Sequence, residues 1–427
     1  VAIMMVPYRS LASELRNSLV RQLNRLGIAA RCAYGGTIPS GDEVHGLDHI
    51  NALIATPESL SGILSADPAF AQRISLVICD EGHLLDSSGR GIGLELLLAR
   101  MKARLANPIR FVFMSAIIPN IEEINAWLGG DENTVIRSTY RPAIAEFSVL
   151  RSSGTGVNKS VRLDMHPHAQ QRHYAIHGFL DRSSFQYVNP QTGRTKTYTF
   201  TSTKTLAVGA ARKVLSMGTT AIFAANKRGN QGAIGLAEEL IKQLECPLPL
   251  PRPVDYADIE TLRTRVDYLE TEFGAGWIGA MSLRNGAVLH HGDIPQETRE
   301  VLEQLLRERR IQLVICTSTL AEGVNLPIRS LVLYSVQRRV GSGQPENMLA
   351  RDIKNLVGRA GRAGANTRGL VICANPDQWW LVQPVATAGA GEPVRGSLRN
   401  LIENLETFLR SQNLALDNQF LEYQAVI

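Results

Sequence analysis

The tetrapeptide Leu-Val-Ile-Cys occurs three times in this chain, at Leu76–Cys79, Leu313–Cys316 and Leu370–Cys373. Each copy is a short apolar run rich in β-branched residues without polar alternation, the pattern of a strand covered on both faces. Comparable runs lie in NALIATPESL from Asn51, RFVFMSAIIP from Arg110, TTAIFAANK from Thr219, GAVLHHG from Gly286 and SLVLYSV from Ser330. Amphipathic helical patterns separate them, for example over Ser10–Gly27 and Gln296–Arg310. Strands that alternate with helices predict an α/β fold of parallel sheets with right-handed crossovers. Ligands bind beyond the carboxyl ends of such strands, so the polar residues that follow each apolar run are the ones to read for chemistry.

Two such sets are visible, over residues 1–138 and 206–385. Residues 139–205 differ: RSSGTGVNKS reads as flexible, and FQYVNPQTGRTKTYTFTST predicts a hairpin around Asn189–Gly193, so this segment is expected to be an interdomain linker. Residues 386–427 read as a linker, ATAGAGEPVRGS, and one amphipathic helix, LRNLIENLETFLRS, the expected start of a further C-terminal domain.

A chain of 427 residues, 44% hydrophobic and 20% charged, has the profile of a folded globular protein with two or three domains. No apolar run is long enough to cross a bilayer and no secretory signal opens the chain, so no membrane partner is expected. Five scattered cysteines without a CxxC pair argue against a disulfide framework or a zinc ribbon and suit a reducing cytoplasmic setting. The 45 basic residues comprise 37 Arg and 8 Lys, and the net charge is +5. That balance is compatible with a polyanion partner, and codon bias accounts for it equally well.

The chemistry concentrates at strand ends. Asp80 and Glu81 follow the first Leu-Val-Ile-Cys, with His83 close behind. An Asp there can hold Mg²⁺, a Glu beside it can orient or deprotonate a water, and His83 can link the nucleotide site to a facing domain. The competing account is a helix start capped by Asp80, with both acids merely solvated. In NLVGRAGRAG (Asn355–Gly364), Arg359 and Arg362 stand three apart on one helical face, a spacing that suits a triphosphate held by two guanidiniums. CTSTLAEGVNLP places Thr317, Ser318 and Thr319 after a buried strand, followed by Gly323 and Asn325. ATPES places Thr56 at another strand end, and VPYRSLASE places Arg9 at the end of the first. Each loop can contact phosphate or cap a helix, and capping is the simpler account of each alone.

In this order the motifs resemble those of a superfamily two DExH-box helicase, most closely the Ski-like group. VPYRSLASE is similar to motif Ia, ATPESL to Ib, SGRGIGLE to the Arg-Gly contact element, DEGH to motif II and FMSAIIPN to motif III. AIFAANKRG is similar to motif IV, VLHHGDIP to the HH element, CTSTLAEGVNLP to motif V and NLVGRAGRAG to motif VI. AWLGG…YRPAIAEFSV is similar to the family's passage between domains. The resemblance covers about residues 1–385. It implies two RecA-like domains with ATP between them and a strand of DNA or RNA across the top. Asp80 would hold Mg²⁺ and Glu81 would activate water. Arg359 and Arg362 would reach the β- and γ-phosphates. His83, Gly323, Asn325 and Asn355 would lie near the nucleotide. Arg9, Thr56, Arg90, Gly91 and Thr317 would contact the nucleic-acid backbone. The implied activity is an ATP-dependent helicase or translocase. The alternatives are a catalytically inactive nucleic-acid-binding scaffold and a motor subunit that works with protein partners in a larger assembly.

Three departures stand out. No GxxxxGK[ST] occurs, nor any Gly-Lys dipeptide. The first domain is therefore expected to be truncated at its amino end, with a partner chain or a pseudo-enzyme as rival accounts, and residues 1–427 alone are expected to lack robust ATPase activity. Motif III reads Ser115-Ala116-Ile117 where the family carries Thr in third place, and motif VI opens with Asn355 where Gln is usual. Outside the family pattern, His166, His168, His173 and His177 cluster in HPHAQQRHYAIH. His173 and His177 have the spacing of a shared helical face, and with no Cys or acid beside them a solvated or nucleic-acid-facing segment is expected rather than zinc.

Overall fold

The structure is a computed structural model that describes residues 1–35, 47–87, 89–104, 109–115, 118–138, 144–154, 160–229, 231–320, 326, 328–338, 344–361, 368–387, 393–394 and 396–411. It divides into two compact units: Val1–Ser138 with Gly391–Ile427, and Thr139–Ala390.

The first unit is built on five strands: β1 (Ala2–Met5), β2 (Ala30–Ala33), β3 (Ala52–Ala55), β4 (Leu76–Cys79) and β5 (Arg110–Phe113). They lie in the order β2-β3-β1-β4-β5 and every pairing is parallel. Ile3, Met5, Leu53, Ala55, Val77 and Cys79 are buried against Leu60 and Ile63 of the helix Pro57–Ala66 and Leu94, Leu97 and Leu98 of the helix Gly91–Arg104. Burial raises the Cys79 thiol to about 12, so it serves as a small apolar residue rather than a nucleophile. The chain leaves β1 toward β2 and leaves β4 toward β5, in opposite directions. The carboxyl ends of β1 and β4 therefore flank a topological switch point, the place where open α/β sheets hold ligands.

In the second unit, the parallel strands are β6 (Ile144–Ser153), β11 (Thr220–Ala224), β12 (Ala287–His290), β13 (Leu313–Cys316), β14 (Ser330–Ser335) and β17 (Arg368–Cys373). With them, β7 (Ser160–Met165) and β8 (Tyr174–Asp181) complete an eight-stranded sheet in the order β12-β13-β11-β14-β17-β6-β7-β8, while β9 (Gln186–Val188) pairs with β10 (Thr195–Thr197) and β15 (Gln337–Arg338) with β16 (Glu346–Asn347) outside it. Two apolar clusters cover the faces of the eight-stranded sheet, which is why β11, β12 and β13 are buried along their whole length. Both sheets are consistent with two RecA-like domains.

The segment 139–205 is not a linker. β6 pairs in parallel with β17 from Arg368↔Ile144 to Cys373↔Val149, and β7 (Ser160–Met165) and β8 (Tyr174–Asp181) add to it as an antiparallel meander. The physical cause is the apolar content of Phe147, Val149, Leu150, Val161 and Leu163, all buried in the second unit's core. Gln186–Val188 and Thr195–Thr197 do pair as an antiparallel hairpin around Asn189–Gly193. The histidine segment splits rather than forming one helical face. His166 is buried with Nε2 2.9 Å from Glu146 Oε2 and His168 packs edge-on against Phe147, whereas His173 and His177 are exposed, the latter in β8, as expected of a solvated segment. Among the described residues no cluster of three or more His, Cys, Asp or Glu can hold a metal.

The helix Ser397–Ser411 groups with the first unit. Val394 is buried in the first core and exchanges hydrogen bonds with Asn120. Gly396 N–H donates to Asp86 at 2.7 Å, and Leu398 N–H donates to Glu95 at 2.9 Å, which supplies the helix with a cap from another element. No helix of the described residues is long and apolar enough to cross a membrane.

Candidate nucleotide and nucleic-acid site

Asp80 extends β4, its N–H donating to the Met5 carbonyl at the end of β1. Its carboxylate accepts from the Glu81 N–H at 2.9 Å. Burial, and then the neighbouring Glu81 charge, raise the Asp80 carboxyl above its ordinary value. Glu81 itself adopts left-handed backbone angles (φ 52°, ψ 44°), an uncommon state for a residue with a Cβ and one that concentrates at functional turns. Gly82 holds the turn against the neighbouring strand: its N–H donates to the Met114 carbonyl at 2.8 Å, and a Cβ there would lie within the Phe113 ring. His83 is buried, with Nδ1 3.4 Å from Glu81 Oε2 and 3.3 Å from Ser115 Oγ. The carboxyl ends of β4 and β5 are thus joined through one imidazole. The acids are partly buried and connected, unlike a merely solvated helix start; Asp80 caps no helix, because Glu81 is the residue that precedes the short helical turn Gly82–Asp86.

The expected nucleic-acid contacts separate into two kinds. Arg9 is exposed at the start of the helix Arg9–Leu15, just past β1. Arg90 reaches toward the same strand end: its guanidinium donates to the Pro7 carbonyl at 3.3 Å, lies 5.6 Å from the Tyr8 ring centroid and 3.8 Å from Glu58. Thr56 is 3% exposed and caps the helix Pro57–Ala66 through the Ser59 N–H, with its hydroxyl on Ser59 Oγ and its own N–H on the Ala33 carbonyl. Its donors are used inside the fold. Gly91 has a packing reason as well, because a Cβ there would sit 2.5 Å from Ser397 Oγ of the returning C-terminal segment.

In the second unit, Asn355 lies in the helix Ala350–Val357 and Arg359 is buried just beyond it. Gly361 follows, its N–H donating to the Ile328 carbonyl. Arg362, Gly323, Asn325 and Ile117 lie outside the described residues. Thr317 is 6% exposed, with its N–H on the His290 carbonyl and its hydroxyl 3.2 Å from Thr319 Oγ1. Thr319 Oγ1 is 3.3 Å from His290 Nδ1, and His290 Nε2 is 2.8 Å from Glu303 Oε1. Glu303 carries no role in the sequence analysis, and His290 enters it only as part of the HH element. A signal was present: Glu303 falls among Leu302, Leu305 and Leu306 on the buried face of the helix Gln296–Arg307, where a carboxylate needs a partner. Beside it, His291 is lowered by burial, and Asp293 pairs with Lys227 and Arg228.

One unit has an all-parallel sheet with acids at a switch point and the other a mainly parallel sheet with polar loops at its strand ends, which defines the class of two-domain α/β proteins that bind their ligands at strand termini. Residues 1–124 match the family model described as DEAD/DEAH box helicase, and residues 268–364 match the helicase conserved C-terminal domain. These two matches, to the two halves of a helicase core, are consistent with the DExH-box helicase family. It is 26% identical over 394 residues to Hachiman protein HamB of Bacillus cereus, covering 89% of this chain and 33% of that protein. It is 26% identical over 375 residues to the ATP-dependent DNA helicase Hel308 of Thermoplasma volcanium, covering 87% of this chain and 45% of the relative. Mouse DNA polymerase theta is 24% identical over 432 residues, covering 96% of this chain and 15% of the polymerase. The chain therefore spans less than half the length of these relatives.

Proposed function

We propose that this chain is the motor core of a helicase or translocase that couples ATP hydrolysis to movement along DNA. The observation that carries this is the acidic pair at the end of β4, set at the switch point and joined through His83 to Ser115 beyond β5. Asp80 suits a divalent cation, because a half-buried carboxylate raised by a neighbouring acid gains from a nearby positive charge. Mg²⁺ held there would offset the charge on the β- and γ-phosphates as the terminal phosphoryl group is transferred. Glu81 orients the attacking water and accepts its proton, and the strained backbone at Glu81 aims that carboxylate. Ser115 and His83 hold Glu81 in place.

By the family resemblance, Arg359 and Arg362 would contact the β- and γ-phosphates, and Asn355, Gly323 and Asn325 would serve the nucleotide. Arg9 and Arg90 contact the backbone of the strand through their guanidiniums, while Thr56 and Gly91 shape the loops beneath them. DNA is favoured as the track because the Hel308 relatives and the polymerase carry DNA in their names. A cytoplasmic setting accompanies this proposal, in keeping with five unpaired thiols, and protein partners in a larger assembly belong to it as well.

The deciding experiment is strand displacement by the full-length protein on DNA and RNA duplexes bearing either overhang. Wild-type protein is expected to displace DNA in an ATP-dependent manner, and Glu81→Gln and Arg359→Ala are each expected to abolish it. Displacement by Glu81→Gln at the wild-type rate overturns the assignment.

A further inference from the structure

Three consecutive hydroxyls follow β13: Thr317, Ser318 and Thr319. We infer that the buried His290–Glu303 pair sorts them, drawing Thr317 and Thr319 inward as positioning residues and leaving Ser318 as the hydroxyl that this loop offers to a nucleic-acid phosphate. This rests on the helicase proposal for the identity of the ligand, and on geometry alone for the sorting.

The order of the protons follows from the partners. Glu303 is buried on the apolar face of its helix, and a carboxylate only accepts. His290, with no exposed surface, places Nε2 2.8 Å from that carboxylate. The carboxylate only accepts, so the proton of a singly protonated ring sits on Nε2. Nδ1 is then an acceptor, and the hydroxyl 3.3 Å away, that of Thr319, donates to it. The Thr319 oxygen in turn accepts from the Thr317 hydroxyl at 3.2 Å. Both threonine protons point along the ladder toward His290, so neither is available to a phosphate, which accepts only. Ser318 differs. Like Thr319 it is partly exposed, but its hydroxyl has no side-chain hydrogen bond among the described residues. The ladder also ties the loop after β13 to the helix Gln296–Arg307, so that loop is held by a neighbouring element rather than by its own turn. Thr317, the contact expected from the resemblance, becomes the residue that holds the loop, and Ser318 the one that touches the strand.

The test titrates a fluorescent single-stranded DNA onto the purified chain, with thermal unfolding measured for each variant. Ser318→Ala is expected to weaken binding about threefold to tenfold, the worth of one hydrogen bond, with an unchanged Tm. Thr317→Val, similar in shape but without the hydroxyl, is expected to stay within about twofold of wild type because its proton was never offered outward. In ¹⁵N spectra, His290 should show a protonated Nε2 and a bare Nδ1, and Thr319→Val should shift Nδ1 alone. A Thr317→Val loss as large as that of Ser318→Ala at equal Tm overturns the inference, as does a ring protonated on both nitrogens, which would reverse the ladder. Failure of the wild type to bind any strand counts against the helicase proposal and removes Ser318's role with it. The ring spectrum then decides the sorting separately.

Discussion

Each unit places a histidine at the carboxyl end of its sheet, beside a glutamate and a hydroxyl, and the two are wired differently. In the first unit Glu81 and Ser115 meet the same ring nitrogen of His83, at 3.4 and 3.3 Å. In the second unit each nitrogen of His290 has its own partner, Glu303 at 2.8 Å and Thr319 at 3.3 Å. Two groups on one nitrogen compete, so small shifts of β5 relative to β4 change which of them is engaged. One partner per nitrogen leaves a single arrangement. The first histidine lies beside a partly exposed acidic pair, and the second lies within a core.

The comparison breaks most readily at the buried pair. His290→Ala leaves the buried Glu303 carboxylate without its partner and should cost about 3–5 kcal/mol of stability. His83→Ala should cost about 1 kcal/mol, an ordinary truncation. Chemical unfolding measures both, and equal losses would remove the distinction. Next is Gly82→Ala, whose Cβ meets the Phe113 ring; over-packing of this kind should cost about 1–3 kcal/mol and displace Glu81 from the β5 end.

Glu81→Asn should be no less stable than wild type, and more stable by up to about 1 kcal/mol, because Asn tolerates the left-handed backbone better. Hydrolysis by the full-length protein should nevertheless be lost. Asp80→Asn sharpens the electrostatic half of the comparison. The native Asp80 carboxyl is raised, so its contribution to stability is present below the ordinary 3.8 and is lost as pH rises through the native value. Asp80→Asn should therefore be more stable than wild type at neutral pH, with the gap closing toward pH 3.8 in unfolding experiments. At the weak end, Glu58→Ala removes an exposed carboxylate 3.8 Å from Arg90. It should change stability by less than about 1 kcal/mol and tighten DNA binding at low salt.

Much of the strand layout was legible. All three Leu-Val-Ile-Cys copies lie in strands of parallel sheets, because a run of four apolar residues has no polar face to show to water and is satisfied only between two covering layers. Their burial is not equal. Leu76 and Ile78 of β4 keep partial exposure while every residue of β13 is buried. That difference depends on what covers each face, which the tetrapeptide does not encode. The acidic pair was legible for a similar local reason, since strand ends must deliver whatever follows them to one edge of the sheet.

Residues 139–205 were misread because turn-forming composition at RSSGTGVNKS and at the hairpin masked the apolar runs between them. The return of Ser397–Ser411 to the first unit had no local signal at all. It is held by Asp86, Glu95 and Asn120, more than 270 residues away in sequence. The direction of the Thr317 and Thr319 hydroxyls was equally hidden, since it is set by a ring on β12 and a carboxylate on the following helix.

Short-range patterning determined the alternation of strands and helices, the strand ends that carry chemistry, and the family to which those motifs belong, because each depends on residues within a few positions of one another. Only the tertiary structure decided which unit owns each segment, which hydroxyls face inward, and which histidine shares its nitrogen. Those outcomes depend on distances between residues far apart in the chain, and no local period encodes them.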